Sequence, residues 1–361
     1  MEILIVKTAA LGDVLRTTSI LPGLRKRHPA ARITWLVAGG AEDLVRFHPD
    51  VARAVSVLPA DPSDLGRARG ALGGTRFARV LSLDEERELA RLASGLARGE
   101  PGVLTGTFLR EDGRVTYTRD AAPWFDLGLL STLGREEADR RKKANRESHA
   151  RLLARVLGIE PGEPMLPLPE SSRSFAAAFA ERTGLHEAGP VIGMNTGAGG
   201  RWESKKLPVE RSVSLMEEVA RRRGGRVSFL LLGGPDERER NAEIGNRARS
   251  GVRLIDAGVS NAPLDFGALI DRLDLLVTSD SLALHVAIAR RVPVVAFFAP
   301  TPAAEIDLHG RGEKVESLSP DACSYRSDAD TSTLTVERLA DAALRVLVRG
   351  RDGRAIPAAG A

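Results

Sequence analysis

Three groups of residues could carry chemistry in this chain. Gly12-Asp13 sets a carboxylate in the turn after the apolar run Ile3-Leu4-Ile5-Val6. Such a carboxylate can take a proton from a hydroxyl or simply cap the next helix, and the dipeptide alone favours the cap. The second group is TGAGGRWESKKLP, Thr196 to Pro208, where glycines let backbone approach a phosphate and lysines bring mobile positive charge. Lys stands at seven positions among 52 basic residues, so the pair Lys205-Lys206 is informative, although Lys142-Lys143 shows that such a pair can be incidental. The third group is Ser279-Asp280-Ser281 with His285 one helical turn later. A helix starting there offers exposed N–H groups to an anion. A lone helix histidine, taken by itself, is more often structural than catalytic.

The elements around these groups follow an α/β pattern. Leu275 to Thr278 reads as a short buried strand, and Ser279-Asp280-Ser281 supplies N-cap chemistry. The following helix carries Leu284, Ala287 and Ile288 on one face and closes at Arg290-Arg291, where cations suit the dipole. A second buried strand, VPVVAFFA, ends in the turn Pro300-Thr301-Pro302. Strand, helix and strand in this order predict a parallel sheet, with both polar turns at the carboxyl ends where open α/β sheets bind ligands.

The first hundred or so residues predict another such sheet. A strand spans Glu2 to Thr8, and a helix with Val14, Thr18 and Leu21 on one face must kink or restart at Pro22. Further strands read at Arg32 (RITWLVA), Ala54–Leu58 and Arg79–Leu83. The opening turn lacks both the dinucleotide fingerprint and the P-loop pattern. Residues 105–147 differ: glycines break a segment with Tyr117, Trp124 and Phe125 that ends in RRKKANR. It reads either as an excursion receiving a large anionic acceptor or as a solvated basic face. A helix from Ser148 to Leu157 precedes the Pro- and Gly-rich stretch GIEPGEPMLPLPESS. We therefore expect an N-terminal domain over 1–158, a linker over 159–172, a C-terminal domain over 173–349 and a frayed tail over 350–361. The second domain runs through strands at Val191–Asn195, RVSFLLL and near Leu254 to a last helix, Val336 to Val348.

Composition narrows the function classes. At 361 residues and 43% hydrophobic, the chain can bury two cores. Its single cysteine, Cys323, excludes an internal disulfide framework and a cysteine-based zinc site. Met1-Glu2 leads into ILIV with no basic region, so no signal peptide is read, and apolar runs near eight residues are too short to span a bilayer. A cytoplasmic location follows. The net charge of +4 suits phosphorylated ligands or an anionic membrane face, or merely an arginine-rich solvated surface. Asp84-Glu85-Glu86 comes closest to a D-x-D metal motif, but it reads as an acidic helix start, so no metal site is expected.

In their order these pieces resemble glycosyltransferase family 9, the heptosyltransferase group that builds the lipopolysaccharide core. The resemblance rests on ILIVKTAALGDVL, on NTGAG followed by K-x-x-P, on LLLGGPDERE, and on SDSLALHVA with VPVVAFFAPT. It runs from about Met1 to Leu347. It implies the GT-B fold: two Rossmann-like α/β domains whose parallel sheets face a central cleft, the first for the acceptor and the second for the nucleotide-sugar donor. It further implies metal-independent, inverting hexosyl or heptosyl transfer from a nucleotide diphosphate sugar, ADP-heptose by family default, with no cofactor. The acceptor would be lipopolysaccharide core or another cell-envelope glycan or glycolipid. No nucleic-acid partner is implied, and peripheral contact with the cytoplasmic face of the inner membrane is compatible with it.

The resemblance also assigns residues. Asp13 matches the general base, and Lys205, placed by Pro208 in the K-x-x-P frame, matches the lysine that neutralises the departing diphosphate. Thr196 and Gly197 would line the phosphate pocket, and Gly12 would contact the donor. Asp280, Ser281, Leu282 and His285 occupy the D-[ST]-x-x-x-H stretch that touches the donor. Glu237, or Glu239 in a shifted frame, would hold the ribose. Leu282 and Ala283 stand where the family has Gly and Pro, and Leu207 where it has Trp, which leaves the donor sugar open. A nucleotide-sugar epimerase of the same fold and a catalytically silent nucleotide-sugar-binding protein are the rival readings.

Overall fold

The computed structural model describes residues 1–350 other than Pro101, Arg201, Arg249 and Ser250, so the tail expected as frayed lies, beyond Gly350, outside the described residues. The chain divides into two compact units, Met1–Pro167 and the residues from Leu168 onward.

The first unit begins with β1 (Glu2–Val6), α1 (Leu11–Thr17), α2 (Leu21–Arg27) and β2 (Arg32–Ala38). Pro22 stands in the first turn of α2, where its missing N–H costs nothing, so the helix restarts there. Next come α3 (Asp43–Arg46), β3 (Arg53–Val57), α4 (Pro62–Gly73), β4 (Arg79–Ser82) and α5 (Arg87–Ala97). The unit closes with β5 (Leu104–Leu109), β6 (Val115–Tyr117), α6 (Ala122–Phe125), α7 (Arg135–Ala144) and α8 (His149–Leu157). The strands form one sheet in the order β3-β2-β1-β4-β5-β6, parallel except that β6 runs against β5. Ile3, Leu4, Ile5 and Val6 are all fully buried, as expected of a central parallel strand covered on both faces. Leu4, Val6 and Leu36 pack with Leu89, Leu92 and Ala93 of α5 in a single core.

The second unit starts with α9 (Glu170–Thr183), β7 (Val191–Asn195), α10 (Val209–Arg222) and β8 (Ser228–Leu232). It continues through α11 (Arg238–Arg247), β9 (Arg253–Asp256), α12 (Pro263–Ile270), β10 (Leu275–Ser279) and α13 (Leu282–Ala289). Last are β11 (Val294–Phe298), β12 (Gly312–Glu316) and α14 (Val336–Arg349). The sheet order is β12-β11-β10-β7-β8-β9, parallel throughout. Helices α10 and α14 cover one face, burying Met216, Val219, Leu339 and Leu347 against Phe229, Val277 and Val295. Both sheets are Rossmann-like doubly wound sheets, with the strand order reversing between β1 and β4 in one and between β7 and β10 in the other.

Two segments differ from expectation. Residues 105–147 are not wholly an excursion, since β5 and β6 extend the sheet. Gly106, which interrupts the apolar pattern there, has φ +107° and lies so close to the Ser82 carbonyl that any Cβ would collide with it. The basic run in α7 is largely matched within its own helix: Arg140 and Arg141 hold Glu137, and Lys142 holds Asp139. Hydrogen bonds from the two arginines lower the Glu137 carboxyl to about 2. The stretch expected as a linker is partly packed. Leu166 is fully buried, and the Met165 N–H donates to Thr18 Oγ1 at 3.1 Å. Among the described residues no helix is long and apolar enough to cross a membrane.

Candidate active site

At a strand-order reversal the two connections leave the sheet in opposite directions, opening a crevice at the carboxyl ends of the central strands. In the second unit those ends are Asn195 of β7 and Ser279 of β10. Asn195 Nδ2 ties them together, donating to the Gly197 carbonyl at 2.7 Å, to Thr278 Oγ1 at 3.0 Å and to Ser281 Oγ at 3.2 Å. Ser281 occupies the N-cap position of α13, but its hydroxyl makes no cap bond. It lies 3.0 Å from Thr278 Oγ1 instead, so the expected capping chemistry is used to join the two turns.

Lys205 reaches this edge from the short helical turn Glu203–Lys205. Its ammonium donates to the Asp280 carbonyl at 2.7 Å and to Asp280 Oδ2 at 3.0 Å. The other Asp280 oxygen, Oδ1, lies 3.6 Å from Nε2 of the buried His285. Leu282 is the first residue of α13, directly after these groups. Lys206 turns the other way and sits 3.1 Å from Glu203 and 3.6 Å from Glu237 Oε1. Glu237 is 3% exposed, and its Oε2 accepts the Gly234 N–H at 2.9 Å while Oε1 makes no hydrogen bond. A Cβ at Gly197 would lie 2.5 Å from Glu237 Oε2 and would push that carboxylate aside. The Thr196 hydroxyl lies 2.5 Å from Asn241 Oδ1 and 3.1 Å from the Leu232 carbonyl. Thr196, Gly197, Lys205, Glu237, Asp280, Ser281, Leu282 and His285 thus lie along the β7, β8 and β10 turns of a single sheet edge. Glu239 belongs to the first turn of α11.

Gly12 and Asp13 belong to the first unit. Asp13 is in the first turn of α1 and is not the cap, which is Ala10. Its Oδ1 takes a 2.9 Å ion pair from Arg16, and 36% of its side chain remains exposed. The Arg16 guanidinium lies 5.6 Å from the centre of the Trp124 ring, and Trp124 in turn meets His149 edge-on at 4.8 Å. The turn leading to Asp13 is anchored at the other side of the reversal by Asp84, which is 2% exposed. Asp84 accepts from Lys7 Nζ at 2.6 Å, the Thr8 N–H at 2.5 Å and the Thr8 hydroxyl at 2.7 Å. The expectation that Asp84 favours a helix dipole is therefore corrected: α5 starts later, at Arg87, and Asp84 faces β1.

Residues 111–332 match the family described as glycosyltransferase family 9 (heptosyltransferase), which is more than half of the chain. The chain belongs to glycosyltransferase family 9. A family 9 glycosyltransferase from Veillonella parvula superposes with a TM-score of 0.76 at 20% identity, with 96% of each chain covered. The ADP-heptose lipopolysaccharide heptosyltransferase II of E. coli gives 0.67 at 20% identity, covering 97% of this chain and 99% of that one. These likenesses establish the two-sheet GT-B fold. Lipopolysaccharide heptosyltransferase 1 of Pseudomonas aeruginosa is 37% identical over 57 residues, a stretch that amounts to only 16% of either chain.

The family 9 match takes in every candidate of the second unit and leaves out Gly12 and Asp13. A held ammonium beside a helix N-terminus is suited to an anionic ligand such as a phosphate. Sequence reasoning missed the parts played by Asn195 and Thr278 and misplaced Asp84 at a helix start. Each is a common polar residue at a strand end, and only the strand order shows that it spans the reversal.

Proposed function

We propose that the protein is an inverting glycosyltransferase that moves a heptose from ADP-heptose to a lipopolysaccharide-core or other cell-envelope glycan acceptor on the cytoplasmic side of the inner membrane, which it contacts peripherally. The observation that carries this reading is the Lys205 ammonium held by Asp280 at the β7–β10 reversal. The donor is drawn from the ADP-heptose relative of the same fold.

In this reaction the acceptor hydroxyl attacks the anomeric carbon from the face opposite the nucleotide. Asp13 takes the hydroxyl proton as the carbon–oxygen bond to the β-phosphate breaks, and ADP departs with the bonding pair. Lys205 and the first N–H groups of α13 meet the charge that develops on the diphosphate. Thr196 and Gly197 bring backbone close to the phosphates, and Gly12 is assigned to the donor. Glu237 Oε1 makes no hydrogen bond inside the protein and is assigned to a ribose hydroxyl. Asp280 orients Lys205 and His285, while Ser281 and Leu282 complete the donor contacts. With the ammonium in this role no metal is required.

The test is ADP release from ADP-heptose, with and without a lipopolysaccharide-core acceptor, in buffer containing either EDTA or magnesium. Release should depend on acceptor, give the inverted anomer and proceed equally in EDTA. Release that ignores the acceptor, or sugar interconversion without ADP, contradicts transfer. Turnover that collapses in EDTA and returns with magnesium contradicts the metal-free mechanism.

A further inference from the structure

Lys205 is held by more than Asp280. Its ammonium lies 5.1 Å from the centre of the Trp202 ring, within the range of a cation–π contact. The far side of the arrangement is braced: Trp202 and Tyr325 stack with ring centres 5.3 Å apart and planes only 5° from parallel. The two rings are distant in sequence, and a set of backbone bonds brings them together. The Tyr325 N–H donates to the Pro300 carbonyl at 2.9 Å and the Cys323 N–H to the Ala299 carbonyl at 2.8 Å, fastening this segment to the turn after β11. Ser204, between Trp202 and Lys205, donates to the carbonyls of Ser327 and Arg326 at 3.1 and 2.9 Å. Tyr325 itself has φ +55°, in the left-handed region that residues with a Cβ rarely enter. The chain accepts that conformation where it puts the tyrosine ring under the tryptophan.

We propose that Trp202, braced by Tyr325, is a positioning residue for Lys205, holding the ammonium where a nucleoside diphosphate is bound. This rests on the donor-site reading given above. Asp280 alone cannot do the task in both states of the site, because its carboxylate carries the same sign as the incoming diphosphate and competes with it for the cation. An aromatic face attracts the cation through its quadrupole and carries no net charge to repel phosphate. It therefore supports Lys205 before and after the donor arrives, and restrains a four-carbon stem that would otherwise sample many rotamers.

The experiment compares ADP with AMP, which differ by the phosphate that Lys205 is assigned to hold. Both are titrated calorimetrically into the full chain and into Lys205→Ala, Trp202→Leu, Trp202→Phe, Tyr325→Ala and Tyr325→Phe. The wild type should prefer ADP, and Lys205→Ala should erase that preference. Trp202→Leu should weaken ADP about tenfold, equivalent to about 1.4 kcal/mol, while AMP stays within about twofold. Trp202→Phe and Tyr325→Phe, which keep a ring face, should remain within about twofold for ADP, and Tyr325→Ala should fall between. If Lys205→Ala loses the preference but Trp202→Leu and Tyr325→Ala keep it, the positioning role is wrong and the donor site stands. An equal loss of ADP and AMP in Trp202→Leu makes the ring merely structural and also overturns the proposal. If Lys205→Ala keeps the ADP preference, or the wild type binds neither nucleotide, the donor-site reading falls and this inference with it.

Discussion

Asp280 divides its carboxylate between the Lys205 ammonium and the His285 imidazole, so the neighbouring lysines have different duties. Lys206 does not point to solvent: it is no more exposed than Lys205, at 11% against 13%. It partners Glu237 and Glu203. Lys205→Ala should therefore cut kcat/KM by ~10²–10³-fold, the scale of a lost oxyanion-stabilising group, with a loss of stability no larger than that of Lys206→Ala. Lys206→Ala should keep turnover within a few-fold and destabilise by roughly 1–3 kcal/mol, because the buried Glu237 loses its counterion. Steady-state kinetics and thermal melts of the two variants check this, and a larger kinetic loss at Lys206 would show the roles reversed. Lys205 was legible because lysine is rare in this chain and Pro208 marks its frame. Trp202 and Tyr325 were not, since nothing local ties two aromatics more than a hundred residues apart.

At the scale of elements, the turn after β1 is as rigid as its anchor. Asp84 collects an ammonium, a backbone N–H and a hydroxyl from Lys7 and Thr8. Removing it leaves a partly buried cation and an orphaned N–H at the base of the segment that carries Asp13. Asp84→Ala should destabilise the protein by roughly 3–5 kcal/mol and lower its melting temperature by about 10 °C. Transfer should also fall at temperatures where the variant is still folded. A melting temperature within a degree of wild type would show that the turn holds without this carboxylate. The central strands were readable because Ile3–Val6 and Leu275–Val277 are continuous apolar runs, the mark of strands covered on both faces. β5 and β6 were missed because Gly106 interrupts one and the other has only three residues, none of them buried.

For the whole molecule, both units repeat one strand order, and each puts charged groups at its reversal: Asp84 anchoring the turn that leads to Asp13 in the first, Lys205 with Asp280 in the second. The alternation of strands and helices made this class of fold legible before the strand order was known, because a βαβ unit commits its strands to run parallel. Ion pairs such as Lys206 with Glu237 join separate turns and become visible only when the chain is folded. We propose that the Asp13 carboxylate activates an acceptor for transfer from a nucleotide diphosphate sugar. The most direct measurement is the rate of acceptor-dependent ADP release from ADP-heptose by wild type and Asp13→Asn as a function of pH, with ADP affinity measured in parallel. Asparagine keeps the size and can still pair with Arg16 through its carbonyl, so fold and ADP affinity should persist. The rate should fall ~10²–10⁴-fold, and the wild-type decline towards acid pH should be absent from what remains. Near-normal turnover by a folded, ADP-binding Asp13→Asn protein would contradict the account.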